Sequence, residues 1–124
     1  MAATRQVLGS CRVPKDWGWE EWITNKPAYC GKILHIDPGK KGSWHYHKSK
    51  DETFQVIAGE LTLLHGDDDD VAKSRAMTLR VGQSAHMPPR TRHQLICAGS
   101  TACELVEIST QHFDYDSYRI IKGD

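Results

Sequence analysis

Apolar and polar residues alternate in short runs along most of the chain, and Gly, Pro, Asp and Ser fall between the runs. Residues 29–36 alternate weakly and end at Asp37-Pro38-Gly39, a turn signal. Residues 43–47 and 53–57 read as the next two strands. Ala58-Gly59-Glu60 reads as a tight hairpin connection into a strand over 61–65. A strand over 77–81 closes at Gly82. The segment 85–89 ends in two consecutive prolines, which exclude a helix there. Strands over 93–97 and 102–109 follow, with a turn between them. No segment carries a convincing helical period. Short strands at close spacing, with turn residues between, predict an all-β barrel or sandwich.

The two ends are less patterned. Residues 1–15 read as an arm with a short strand at 6–8, and residues 111–124 as a polar, aromatic tail. Trp17, Trp19 and Trp22 lie close together. They suit either an outer strand that covers the barrel or a stacking platform for a sugar or base, because Trp is amphipathic. Residues 66–70 form an acidic loop. It lacks the Gly and the distal Glu of an EF-hand loop, so it reads as a solvated turn rather than a calcium site.

Composition narrows the class. At 124 residues the chain is one domain by the usual size prior. Its 16 Lys and Arg balance its 16 Asp and Glu, so no global field attracts nucleic acid or an anionic membrane. No apolar run approaches the ~18 residues of a spanning helix. The opening stretch MAATRQVLGSCR lacks the apolar region of a secretory signal. Cys11, Cys30, Cys97 and Cys103 form no CxxC pair, so reduced thiols in a cytoplasmic protein are expected. Cys97 and Cys103 read as core positions, where a free Cys acts as a small hydrophobe.

The candidate chemistry lies between Gly39 and Gly59. His45 and His47 are two residues apart, so in a strand both imidazoles face one way. Glu52 opens the next alternating run and shares a face with Phe54 and Val56. A turn over 48–51 brings Glu52 back towards the histidines. Two imidazoles and a carboxylate on one concave face suit a divalent metal, and His93 is the best candidate for a fourth ligand. Zn, Fe, Mn, Ni and Co all fit such a donor set. Trp44 and Tyr46 alternate with the histidines and face away from the metal, to pack on a neighbouring strand or a partner subunit. His35, His65, His86 and His112 read as hydrogen-bonded or exposed, with His86 close enough to the later Pro turn to support the ligands from outside.

Gly39, His45, His47, Glu52 and Gly59 fill every slot of a pattern that resembles the first cupin motif. Gly82, Pro88 and His93 resemble the second, in which Arg90 stands where the family has Gly and Cys97 where it has Asn. The two motifs frame residues 33–108. The resemblance implies a single-domain cupin, a double-stranded β-helix or jelly-roll barrel, with His45, His47, Glu52 and His93 around one divalent transition metal. Trp22-Ile23-Thr24-Asn25, Tyr46-His47, Asp51-Glu52-Thr53, Pro88-Pro89, Glu107-Ile108-Ser109-Thr110 and Asp116-Ser117-Tyr118-Arg119 further resemble small cupins related to the type II mannose-6-phosphate isomerase domain. That implies a metal-dependent sugar or sugar-phosphate isomerase. Other readings stay open: an Fe(II)-dependent dioxygenase or another cupin oxidoreductase, a cupin that binds a sugar or small acid without turnover, and another metal-dependent lyase or epimerase.

An isomerase needs a base to move a proton between carbons, and cations for a phosphate. Glu107 is a candidate for the first, though alternation over 102–109 leaves its face ambiguous. Arg90 and Arg119 are candidates for the second. Arg90 sits where the family pattern expects a left-handed backbone. Either the turn is rebuilt to negative φ, or the strain is tolerated because the guanidinium serves as an anion clamp or in a surface salt bridge. A homodimer is expected, because the Trp-rich segment with outward Trp44 and Tyr46 is more apolar than a small monomer usually exposes.

Overall fold

A computed structural model describes residues 5, 7–9 and 11–124. Among them are eleven strands: β1 (Cys11–Lys15), β2 (Gly18–Asn25), β3 (Cys30–Ile36), β4 (Trp44–Tyr46), β5 (Glu52–Ala58), β6 (Leu61–Gly66), β7 (Arg75–Leu79), β8 (Ser84–Met87), β9 (Arg92–Ile96), β10 (Cys103–Ser109) and β11 (Tyr118–Ile121). Two short 3-10 turns, Val71–Lys73 and Asp114–Asp116, are the described helical pieces. No helix among the described residues is long and apolar enough to cross a membrane. The strands form two sheets, in the orders β1-β2-β3-β10-β5-β8 and β11-β4-β9-β6-β7, with every neighbouring pair antiparallel. This is the predicted all-β, single-domain jelly-roll architecture.

The central strands of the larger sheet alternate strictly between buried and less buried positions. Their inward residues change character along the strand. Leu34 pairs with Leu105, which pairs with Val56. One step along, Lys32 pairs with Glu107, which pairs with Phe54. A further step brings Cys30, Ser109 and Glu52 into register. One end of the sandwich is therefore filled by Leu34, Ile36, Val56, Leu61, Leu63, Leu79, Met87, Cys97, Cys103 and Leu105. Full burial of each large aliphatic contributes about 2 kcal/mol. The other end is lined by charged side chains and stays open as a cavity. Gly59, in the β5–β6 connection, shows why the first motif ends in glycine. Its φ is 74°, and a Cβ there would sit 2.4 Å from the carbonyl oxygen of Ala102.

The ends of the chain are more ordered than their pattern suggested. Of the short strand expected at 6–8, Gln6 lies outside the described residues, and Val7 and Leu8 lie in no strand. The nearby strand is instead β1, which pairs with β2. The tail supplies β11, which pairs with β4. Trp44 does not form an outward surface: it is fully buried, and its indole N–H donates to the Asp69 carbonyl (2.8 Å). Tyr46 stacks on Tyr118 and is covered by Arg92. The apolar surface that suggested a homodimer is thus largely spent within one chain.

Candidate metal centre

Strand pairing brings the three histidines together. His45 on β4 is the direct partner of His93 on β9. Candidate ligand atoms of His45, His47 and His93 all lie within 4.8 Å of one another. Each imidazole is oriented through Nδ1. His45 Nδ1 contacts the Ser43 carbonyl at 3.1 Å and its hydroxyl at 3.0 Å, His47 Nδ1 the Asp116 carbonyl at 3.0 Å, and His93 Nδ1 the Thr91 carbonyl at 3.0 Å. A carbonyl can only accept, so each Nδ1 carries the proton and each Nε2 is left free to coordinate.

Glu52 completes the group. Its Oε1 lies 2.9 Å from His93 Nε2, and its Oε2 lies 3.4 Å from His47 Nε2. Neither approach has hydrogen-bond geometry, so Glu52 Oε2 and His93 Nε2 are buried without a hydrogen-bond partner. Orphaned buried polar atoms are rare and costly. A shared divalent cation would satisfy both. Burial, then the neighbouring His93 and His47, hold His45 well below its ordinary pKa, and burial brings His47 down to about 4 against the pull of Glu52. Both are therefore neutral, the metal-binding form. Burial alone would raise Glu52, but His93, Lys50 and His47 together keep its carboxyl below the usual range. Burial alone would lower His93, but Glu52 raises it. The residues present fit such an ion.

Asp116 holds this end in place. Its carboxylate accepts from the backbone N–H groups of Lys48, Ser49 and Lys50 at 2.9–3.2 Å. These bonds fix the turn between His47 and Glu52. They also aim Lys50 inward, where its Nζ lies 2.6 Å from Glu107 Oε2 and 3.4 Å from Glu52 Oε2. Burial opposes charge on Lys50, but Glu107 and then Glu52 raise its pKa and keep it protonated. Burial, followed by the charge of Glu52, pushes Glu107 up against the pull of Lys50. Ligands, Lys50, Glu107, Lys32 and His112 line one cavity of about 480 Å³.

The cupin domain family matches residues 32–109. This chain belongs to the cupin family. Among curated proteins, none matches it. Solved structures share the cupin fold at low identity. The capsular polysaccharide assembling protein CapF from Staphylococcus aureus aligns with a TM-score of 0.75 at 18% identity, over 90% of this chain and 34% of CapF. Oxalate decarboxylase from Bacillus subtilis aligns with a TM-score of 0.76 at 14% identity, over 89% of this chain and 30% of the enzyme. This cupin thus spans about a third of either protein. An uncharacterized conserved protein with a double-stranded β-helix domain from Klebsiella pneumoniae is nearer in size, with a TM-score of 0.69 at 18% identity over 93% and 88% of the two chains.

The cupin places the remaining candidates unequally. Glu107 faces inward and Arg119 lines the cavity. Arg90 is exposed and outside the cavity lining. It keeps a left-handed backbone, with φ 72°, so the turn is not rebuilt. Its N–H donates to the His47 carbonyl (2.6 Å) and its carbonyl accepts from Arg92. That tie to a ligand residue gives the strained backbone a structural use. His86 is exposed and contacts Asp51 at 2.5 Å, on the outside of the sheet. Trp17 and Trp22 line the cavity, whereas Trp19 lies between His35 and Arg12. Sequence reasoning missed Lys32, Lys50, His112 and the carboxylate of Asp116. Lys50 carried a signal, since it lies two residues before Glu52 at the end of the ligand turn. Lys32 carried another, since a Lys in the inward phase of an apolar strand calls for a partner.

Proposed function

We propose that this cupin is a metal-dependent isomerase of small polyhydroxy carbonyl compounds, an aldose–ketose isomerase acting on a sugar or sugar phosphate. The observation that carries the reading is the Lys50–Glu107 pair. A carboxyl and an ammonium group 2.6 Å apart are buried in the same cavity as the metal-ligating candidates. His45, His47, Glu52 and His93 would hold the ion, which when bound polarises carbonyl and hydroxyl oxygens. Glu107 is the base that the sequence left unnamed. In the open-chain aldose the C2–H bond breaks towards the Glu107 carboxylate, and the electron pair passes to the C1 oxygen as an enediolate forms. The same carboxyl returns the proton to C1, while a proton passes from the C2 hydroxyl to the C1 oxygen. Lys50 Nζ orients Glu107 and offers a proton donor beside the developing negative charge. Glu107 lines the open cavity, so its proton can exchange with solvent between the two transfers.

Metal-loaded protein incubated with a panel of aldoses and their phosphates in deuterium oxide tests this by NMR. Deuterium at C1 of a newly formed ketose is the expected result. Glu107→Gln should abolish exchange while metal content is retained. Substrates recovered unchanged would overturn the isomerase reading in favour of a binding protein. Oxygen consumption with Fe(II) would overturn it in favour of a dioxygenase.

A homodimer in the cytoplasm accompanies this reading. Its support is the outer face of the larger sheet, where Ile57 and Ile108 are 42% and 61% exposed. Sedimentation as a single 14.0 kDa particle at micromolar concentration would exclude the dimer.

A further inference from the structure

Lys32 is the one buried cation of the cavity that the isomerase chemistry leaves unused. It stands on β3, 3% exposed, and its Nζ lies 3.9 Å from the centre of the Trp22 ring. Among the described residues it makes no ion pair or hydrogen bond. The acids near enough to influence it are engaged elsewhere: Glu107 holds Lys50 at 2.6 Å, and Glu20 accepts the Trp22 indole N–H at 3.0 Å. The attraction of an ammonium group to an aromatic face falls short of what burial of a lone charge costs. Burial accordingly lowers the pKa of Lys32. Such a group calls for an anion that the protein itself does not supply.

The charge balance agrees. Among the buried charges of the cavity, Lys50 and Glu107 cancel, and Glu52 cancels half the charge of a divalent ion. Lys32 is then the one buried side-chain charge without an opposite partner, at the opposite side of the cavity; Lys15, Glu20, Asp114 and Arg119 line the less buried part. Lys32 stands two strands from β5, about 10 Å across the sheet at ordinary strand spacing. A single ammonium matches a monoanion better than a phosphate dianion, which is usually met by several donors; Arg119, the guanidinium in the lining, stands apart on β11, opposite His45.

We infer that Lys32, seated on Trp22, is a carboxylate-binding subsite, and that the ligand of this cavity is a polyhydroxy acid whose hydroxyl-bearing end lies at the metal centre. This rests on the proposed function and narrows its substrate class to sugar acids, with the acid group read by Lys32 rather than by Arg90.

Calorimetry on the metal-loaded protein tests the subsite without requiring turnover. The probes are D-glucuronate, D-gluconate, D-glucose and D-glucose 6-phosphate. Wild-type protein should bind at least one of the two carboxylates tenfold or more tightly than glucose. Lys32→Met should erase that preference with metal content unchanged, and Lys32→Arg should retain part of it. Equal affinity for acid and neutral probes in wild type, including failure of all four to bind, overturns the subsite whether or not the variants fold. A preference that survives Lys32→Met overturns it too. Preference for the phosphate ester over both carboxylates would assign Lys32 to phosphate and overturn the sugar-acid class. Acid-selective, Lys32-dependent binding with no deuterium exchange would leave the subsite standing and remove the isomerase. Exchange on neutral sugars without acid preference would do the reverse.

Discussion

The two ends of the cavity hold their polar groups by opposite means. At the metal end, each imidazole is tied through Nδ1 to a backbone carbonyl, and Glu52 Oε2 and His93 Nε2 are left without hydrogen-bond partners. At the far end, side chains from three parts of the chain neutralise one another, and one of them, Lys32, has no neutralising partner. The first arrangement is rigid and incomplete, which suits a site that waits for an ion. The second is closed on itself, because Lys50 Nζ meets Glu107 at 2.6 Å and His112 Nδ1 at 3.3 Å. The contrast teaches that one cavity can leave polar atoms open at one end and pair them internally at the other.

The strongest way to break the contrast is at the metal end. His47→Ala or His93→Ala should lower metal affinity by at least 100-fold and abolish the metal-dependent rise in melting temperature. Elemental analysis after dialysis reads the first effect and a thermal scan the second. Metal retained at wild-type level in both variants would show that the imidazoles do not ligate. Asp116→Ala acts on the join between the ends. It leaves three backbone N–H groups of the 48–50 turn without their acceptor, and stability should fall by about 3 kcal/mol. The far end should suffer with the metal end, because the same turn carries Lys50. A loss of metal with unchanged stability would contradict that role.

Acid should weaken the metal end first. In metal-stripped protein the pKa of His47 is about 4, lowered from an ordinary value near 6.5, and that of His45 is lowered as well. The unfolded chain therefore binds more protons than the folded one between those values. Stability is fully present above about pH 6.5 and is lost as pH falls towards 4, by roughly 2 kcal/mol. His93, raised by Glu52, contributes with the opposite sign above its ordinary value. Denaturation midpoints measured from pH 7 to 4 should fall, and the slope should be shallower in His47→Ala. A flat profile would mean that the imidazoles are not held neutral.

The smallest effect sharpens the contrast by leaving both ends alone. Arg90 keeps φ 72° on an exposed turn. Arg90→Gly should relieve left-handed strain and raise stability by about 0.5–1 kcal/mol after the entropy of the added glycine is counted. Ligand affinity should not change. A tenfold loss of anion binding in this variant would return Arg90 to the site.

Much of this cupin was legible before any coordinates. The strand runs, the turn at Pro38-Gly39 and the Gly59 hairpin follow from period and local backbone chemistry. His45 and His47 share a face because a strand has a two-residue repeat, which is a local rule. Glu52 followed because a four-residue turn leaves few places for it to go. The same local rules left open whether Trp44 packs within the chain or on a partner; it is buried within the chain, and Asp69 of the 66–70 loop accepts its indole N–H. They failed on β11, whose four residues carry too little alternation to stand out and which is ordered by pairing with β4.

What the sequence determined by itself is the set of groups with a fixed local geometry: the all-β class, the paired imidazoles and the carboxylate that follows them. Only the tertiary structure decided how Lys32, Lys50, Glu107 and Asp116 are used. Lys32 and Glu107 are 75 residues apart along the chain but adjacent across β3 and β10. Strand order and register set that adjacency, and both depend on the whole apolar core closing at once. A charge acquires its role from what it faces, and in a sandwich the facing residue comes from a distant strand.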